Sequence, residues 1–403
     1  MADNVVLTAT EATDRAGRTV TAETLIARAH DLAEVFARRA AAEDERRAPL
    51  DETIADMIDS GILATLTPRI YGGHELDFTT AARIIAILSA ANPSAGWVAA
   101  FYMGAAWRLN IFSEQAQREI FRDKPYVLSA GQAAPLREVV RVPGGYRISG
   151  QTPWGSGSVH AEWIVFMGVA TGGDTDPAPM AFVVPRAQTE VLDTWHIAGM
   201  RGTGSNDIRV TDIFVPEYRA APFVEVLEGT TAGQAAHANP MYQFPFIPFL
   251  MVEVVPVVTG ILRGAASAFE ARVRERQGTI SGTKAAAQQA TQMRLGRALA
   301  NAAAAETLMD HLISSLKPHA GQRDPVYRST MKLRGAQITD LCRNGVNDIA
   351  RGIGGDGFRD HSPLQRYFRD INVLAVHAFL DIDTAAQTAG CVRLGLPVED
   401  PLV

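Results

Sequence analysis

The sequence predicts a mainly helical protein with a central antiparallel β unit, and three observations predict it. Apolar residues recur at three- and four-residue spacing through both ends of the chain. Between those ends lie short runs rich in Val, Ile and aromatic residues, separated by Pro and Gly turn signals. The composition, 47% hydrophobic and 20% charged with many alanines, suits a folded chain with a large core and argues against disorder.

The elements follow in order. From Thr21 to Phe121 the periodicity is helical, with Gly61 as a helix stop and "LTPRIYGGHELDF" as a loop. "TTAARIIAILSAANPSAGWVAAFYMGAAWRLNIF" reads as two helices broken at Asn92 and Pro93. After Pro125 the runs "EVVRVPGGYRISG", "AEWIVFMGVA", "PMAFVVPRAQ", "TEVLDTWHI" and "DIRVTDIFVP" read as strands, and "PGG" as a hairpin turn. Helices return beyond Ala235, which divides the chain into helical residues 1–123, a β unit at 124–232 and a helical bundle at 233–403. "FPFIPFLMVEVVPVVTGIL" carries Glu253 and three prolines, so it is expected as a buried wall and not a membrane span.

Charge and cysteine content narrow the function classes. A net charge of -6 offers no broad cationic face for nucleic acid, so small-molecule partners are expected. Cys342 and Cys391 stand alone, and no Cys and His spacing resembles a metal site. The N-terminus lacks the marks of a secretory signal, and a cytoplasmic location is expected.

Two motifs are set aside on context. "GIGGDG", Gly352 to Gly357, contains G-x-G-x-x-G but follows a helical stretch where a dinucleotide fingerprint needs a strand, so its glycines are read as allowing close backbone approach. "WGSGS" is not a nucleophile elbow, because Ser156 sits between glycines in a β context, and a hydrolase is disfavoured.

Taken together, "GMRGTGSNDIRVTDIFVP", "RERQGTISGTKAAAQQ" and "IGGDGFRDHSPLQRYFRDINVL" resemble the acyl-CoA dehydrogenase superfamily in order and spacing. That resemblance implies an acyl-CoA dehydrogenase-like fold: an N-terminal helical domain, a β-barrel-like middle domain and a C-terminal four-helix bundle. In members with the base near the chain end, a glutamate follows the Arg-Asp pair; here the same offset from Arg369 and Asp370 gives His377, Ala378, Phe379 and Leu380. Ala378 has no proton-abstracting group. Glu253 and Glu270 remain as bases on another helix, which keeps an FAD-dependent acyl-CoA dehydrogenase and a non-catalytic binding member of the fold as alternatives.

"NPSAGWVAAFY", "GGYRISGQTPWGSGSVHAEW" and "RDINVLAVHAF" are similar to the oxygenase branch of that superfamily, the two-component flavin-dependent monooxygenases. The resemblance implies reduced flavin (FMNH2 or FADH2) and O2 as cofactors, a C4a-hydroperoxyflavin, and a separate NAD(P)H-dependent flavin reductase as partner. It further implies a homotetramer and an aromatic or heteroaromatic substrate. Ser156 is then expected beside flavin N5, with Trp154 as a flavin neighbour, and His377 as acid or base. Ser129 is a further flavin or substrate candidate. Arg276, with Arg263 in reserve, is expected at the flavin phosphate, and Gly354, Gly355 and Gly357 against the flavin of a neighbouring subunit. Phe101, Tyr102, Trp107, Trp195, Phe246 and Phe249, with Met241 and Phe244, are candidates for a flat apolar pocket, although aromatics at such positions also serve as plain core.

Overall fold

The computed structural model describes residues 12–13, 19–173, 176–277, 282–316, 324–400 and 402. Part of the "RERQGTISGTKAAAQQ" motif, from Gly278 to Ser281, lies outside them. A short antiparallel pair, β1 (Ala12–Thr13) and β2 (Thr19–Val20), precedes five helices: α1 (Ala22–Arg46), α2 (Asp51–Asp59), α3 (Phe78–Ala91), α4 (Pro93–Leu109) and α5 (Glu114–Ile120). The break between α3 and α4 falls where the sequence puts it. Asn92 leaves the helical region, its side chain accepts from the Ala95 N–H at 3.3 Å, and Pro93 occupies the first turn where no donor is missed. The Asn92 amide also donates to the buried Glu43 carboxylate at 2.7 Å, which ties α1 to this junction.

The middle of the chain forms two four-stranded sheets. β3 (Ser129–Leu136), β6 (Trp163–Ala170), β7 (Ala178–Pro185) and β10 (Ala220–Pro222) make one; β4 (Glu138–Val142), β5 (Gly145–Gly155), β9 (Asn206–Pro216) and β8 (Glu190–Leu192) make the other. Their inner faces enclose a separate apolar core that includes Ile148, Ile164, Phe166, Phe182 and Ile208. The expected hairpin joins β4 to β5, with Val142 opposite Gly145 and Gly144 at φ 82° in the left-handed region. One pairing departs from the antiparallel expectation: β3 runs parallel to β6, with Ser129 opposite Trp163. Strand composition carries the alternation of faces but not the direction of pairing, which the long connection between these strands sets.

Two short helices, α6 (Phe223–Glu228) and α7 (Ala232–Ala235), lead into the second helical part: α8 (Phe246–Glu275), α9 (Gln289–Ser314), α10 (Pro325–Ala350), α11 (Pro363–Leu374) and α12 (Ile382–Leu394). By length and composition α8 is apolar enough to cross a membrane, yet it is the central helix of this fold and is buried on nearly all sides. It lies close against α3: a Cβ placed on Gly264 would stand 2.1 Å from the Ala90 carbonyl oxygen, so only glycine admits this approach.

Candidate active site

A cavity of about 480 Å³ opens where α4, the β unit, the start of α8 and the segment after α11 meet. Its wall is mostly apolar, and the polar groups gather at a few points. Ser156 is at one of them. A bulge in the β5–β9 pairing between Thr152 and Gly155 swings Trp154 outward, at φ 69°, and the chain then turns through Ser156. The Gly157 N–H donates to the Thr203 carbonyl at 3.0 Å, and Tyr102 donates its hydroxyl to the Gly157 carbonyl at 2.6 Å, so the turn is fixed from both sides.

The hydroxyls here form an ordered chain. Trp97 Nε1 donates to Ser156 Oγ at 3.0 Å, Ser156 and Ser205 are 2.8 Å apart, Ser205 and Thr203 2.7 Å, and Thr203 donates to the Met200 carbonyl at 2.8 Å. Each hydroxyl has one hydrogen. Thr203 spends its own on Met200, so Ser205 must donate to Thr203, and Ser156 must donate to Ser205. Ser156 Oγ is left with accepting capacity only, facing the cavity.

The far end of this chain is anchored by the Arg-Asp pair of α11. The Asp370 carboxylate accepts from the Met200 N–H at 2.5 Å, while Arg369 donates to the Ala198 carbonyl at 2.5 Å and to Asp44 at 3.0 Å. Gly199 is held so closely that a Cβ on it would stand 2.4 Å from the Arg369 carbonyl oxygen. Burial raises the Asp370 pKa to about 7, against the pull of the Met200 N–H and Arg369.

His377 lines the same cavity, with its ring centroid 5.5 Å from that of Trp97; Trp97 thus contacts both the histidine and Ser156. His377 falls in the stretch 233–403 read as a helical bundle, and there the helical expectation is corrected. Helix α11 ends at Leu374, and His377 sits in the turn before Asp381, whose side chain caps α12 by accepting from the Thr384 N–H at 2.8 Å. The capping carboxylate restarts the helix, and periodicity does not reveal such a break. His377 Nδ1 accepts from the Phe379 N–H at 3.3 Å, which assigns the neutral ring's proton to Nε2.

Packing around the ring, with the charge of Lys332 adding to it, lowers the His377 pKa to about 4. The imidazole is therefore uncharged near neutral pH and is a donor through Nε2. As pH falls below the usual 6.5, an unfolded chain protonates here while the folded chain resists until about 4, so the fold loses stability through that window. Nitrogen-15 NMR of the ring is expected to show one neutral Nε2–H tautomer from pH ~8 to ~6. A titration centred near the unperturbed value contradicts this assignment.

The structure separates the remaining candidates. Phe101, Trp107, Trp195 and Phe246 line the cavity. Tyr102 and Phe249 do not: Tyr102 is fully buried on the Gly157 carbonyl, and Phe249 stacks behind Trp107 with ring centroids 3.9 Å apart. Met241 and Phe244 are also core, Met241 accepting from Trp107 Nε1 at 3.0 Å through its carbonyl. Helix α4 is buried almost all round, so its sequence shows no preferred face. Ser129 is buried outside the cavity wall, although Gly131, two residues along β3, is part of it.

Arg276 and the glycines are likewise not brought to this cavity within the chain. Phe246 and Leu250, near the start of α8, line it, whereas Arg276 follows the last residue of that helix, about 40 Å away along the axis. There Arg276 donates to the Gly352 carbonyl at 3.0 Å and packs against Gly354, with Gly355 and Gly357 in the same turn. Arg263 pairs with Glu306 on the surface. Among the described residues no His, Cys, Asp and Glu group has a metal-binding arrangement.

Neither alternative base is available. Glu270 pairs with Arg274 at the surface, and Glu253 is buried against the Arg108 guanidinium behind the wall. Asp381 does line the cavity, but its hydrogen bonds to Thr384 hold its carboxyl below the usual range. Trp97, Arg108, Thr203 and Ser205 are site residues that motif reading passed over. Trp97, Thr203 and Ser205 lie inside the stretches "NPSAGWVAAFY" and "GMRGTGSNDIRV", but the partner that joins Trp97 and Ser205, Ser156, is distant from both in sequence.

The chain is similar throughout to known proteins. Residues 253–382 match the acyl-CoA dehydrogenase C-terminal domain and residues 19–124 the acyl-CoA dehydrogenase N-terminal domain. A pigment production hydroxylase of Rhodococcus sp. is 60% identical over 95% of this chain and 100% of its own length. The oxygenase component of p-hydroxyphenylacetate 3-hydroxylase from Acinetobacter baumannii is 27% identical over 90% of this chain and 86% of its own length. Among solved structures, XiaF from Streptomyces sp. in complex with FADH2 and glycerol has a TM-score of 0.86 at 28% identity, covering 94% of this chain and 97% of that one.

Proposed function

From the premise that the chain belongs to the acyl-CoA dehydrogenase family, we propose that it is the oxygenase component of a two-component flavin-dependent monooxygenase. It takes reduced flavin from a separate NAD(P)H-dependent reductase and hydroxylates an aromatic or heteroaromatic small molecule. The observation that carries this reading is the Ser156 hydroxyl, left as an acceptor in an apolar cavity that a neutral histidine also lines, with Trp97 in contact with both. The names of the relatives support it, since several are oxygenase components acting on aromatics.

The residues present fit a reduced flavin. When bound, that group supplies the electrons that activate dioxygen, one atom going to the substrate ring and the other leaving as water. With a flavin bound, Ser156 would accept the hydrogen at its N5, and the proton order from Trp97 to Met200 keeps the serine from competing as a donor. The apolar wall excludes water that would divert the activated oxygen to hydrogen peroxide. His377, uncharged, offers Nε2–H to an oxygen on that side. We assign the flavin as FAD, supported by the FADH2 named for the resorcinol hydroxylase and XiaF. The distance of Arg276, Gly354, Gly355 and Gly357 from their own chain's cavity supports an assembly, a homotetramer in this reading, in which these residues reach a neighbour's flavin.

The strained backbone at Trp154 gives a separate prediction. An indole 65% exposed at φ 69° is retained at a conformational cost of ~1–3 kcal/mol. Trp154→Gly is expected to unfold at the same or a higher temperature while binding reduced flavin about tenfold more weakly, as calorimetry and anaerobic titration report. Undiminished flavin affinity removes Trp154 from the cofactor site.

The functional reading is tested by supplying reduced FAD, 18O2 and a set of phenols and indoles, then weighing the products. A product gaining one labelled oxygen atom is expected. Desaturated or unlabelled products, or none with any member of the set, contradict it.

A further inference from the structure

Resting on the oxygenase reading, we propose that Arg108 determines which substrates the cavity accepts: its Nε–H donates a hydrogen bond to a neutral hydroxyl or keto oxygen carried by the aromatic ring. Arg108 lies on the same face of α4 as Trp97 and Phe101 and lines the cavity although it is only 5% exposed. Most of its guanidinium is engaged. Nη1 donates to Glu253, Nη2 to the Phe101 carbonyl, and the group lies over the Phe101 ring at 5.1 Å.

Nε is the exception. Among the described residues this buried N–H has no hydrogen-bond partner, and a native structure rarely leaves such a group without one in its working state. Room for a partner exists because β3 presents Gly131 there: even a Cβ on that residue would come no closer to Nε than 3.9 Å. Gly131 and Arg108 both belong to the cavity wall.

The charge balance selects the partner. Burial raises the Glu253 pKa to about 7 against the pull of Arg108, so above that pH Glu253 offsets the arginine charge. A carboxylate brought to Nε would then leave an uncompensated negative charge in an apolar wall, whereas a phenol or ketone would not. The distance is suitable as well. The guanidinium sits level with Phe101, one helical turn or about 6 Å beyond Trp97, which flanks both His377 and Ser156. A ring held by its oxygen at Arg108 therefore presents its other carbons toward those two residues.

The test is isothermal titration of the full-length, flavin-free protein with 2-naphthol, naphthalene and 2-naphthoate. It requires neither flavin nor oxygen, so its failure is distinguishable from failure of the oxygenase reading. The wild type is expected to bind 2-naphthol about tenfold tighter than naphthalene and 2-naphthoate no tighter than naphthalene. Removing Arg108 alone strands a buried Glu253, so the paired variant Arg108→Met with Glu253→Met is used, together with Gly131→Val, which leaves the ion pair and fills the space at Nε. Both are expected to bring the naphthol preference below about threefold while binding of naphthalene persists. Equal wild-type affinities, tighter binding of the naphthoate, or a preference that survives in both variants overturns the proposal.

Discussion

Replacing His377 by Ala is expected to leave reduced-flavin binding within about twofold and to cut the yield of hydroxylated product by about a hundredfold or more, the range for loss of a positioned proton-handling group. The variant should fold. The carbonyl of residue 377 accepts from Leu380 and Asp381 N–H groups at 2.8 and 2.9 Å, and those backbone bonds do not need the imidazole. What disappears is the Nε2–H donor of a cavity-lining ring and the acceptor of the Phe379 N–H. Because burial and Lys332 hold the ring uncharged, His377→Gln, which keeps a neutral donor, should recover part of the yield. An alanine variant that forms product as well as wild type takes the histidine out of the chemistry.

Ser156→Ala acts at the other residue that Trp97 contacts. It removes the hydroxyl that takes the Trp97 N–H and keeps accepting capacity for a bound molecule, and one hydrogen bond of ~1.4 kcal/mol corresponds to about tenfold. Oxygen consumption should continue, with hydrogen peroxide replacing product by about that factor. Thr203→Val separates this role from plain packing. It leaves the serine in place but takes away the hydroxyl that fixes the proton order, so Ser205 and Ser156 are free to reverse and coupling should fall by a smaller factor. Identical peroxide yields in wild type and Ser156→Ala would show that the serine only completes a turn.

Much of the fold was legible because its signals are local. The Asn92–Pro93 break, the Gly144 turn and the helix periods each involve residues within a few positions of one another. Ser156 and His377 were singled out by the patterns around them and both line the cavity, even though His377 lies in a turn and not a helix. What the sequence did not disclose depends on distant partners. Arg108 meets Glu253 across 145 positions and Met200 meets Asp370 across 170, so no window contains either pair. Tyr102 and Phe249 were misassigned to the cavity for a related reason: α4 and α8 are apolar on nearly every side, and hydrophobicity alone does not say which aromatic faces empty space. The direction of β3 against β6 was equally hidden, since a buried strand shows the same residues in either sense.

The central claim is that this cavity shelters oxygen activated by reduced flavin. The direct measurement mixes protein carrying anaerobically reduced FAD with oxygenated buffer in a stopped-flow spectrometer and follows the return of oxidised flavin absorbance. The account predicts a return at least tenfold slower than for the same flavin free in solution, with the delay shortened in Ser156→Ala. Reappearance of oxidised flavin as fast as in buffer alone would contradict it.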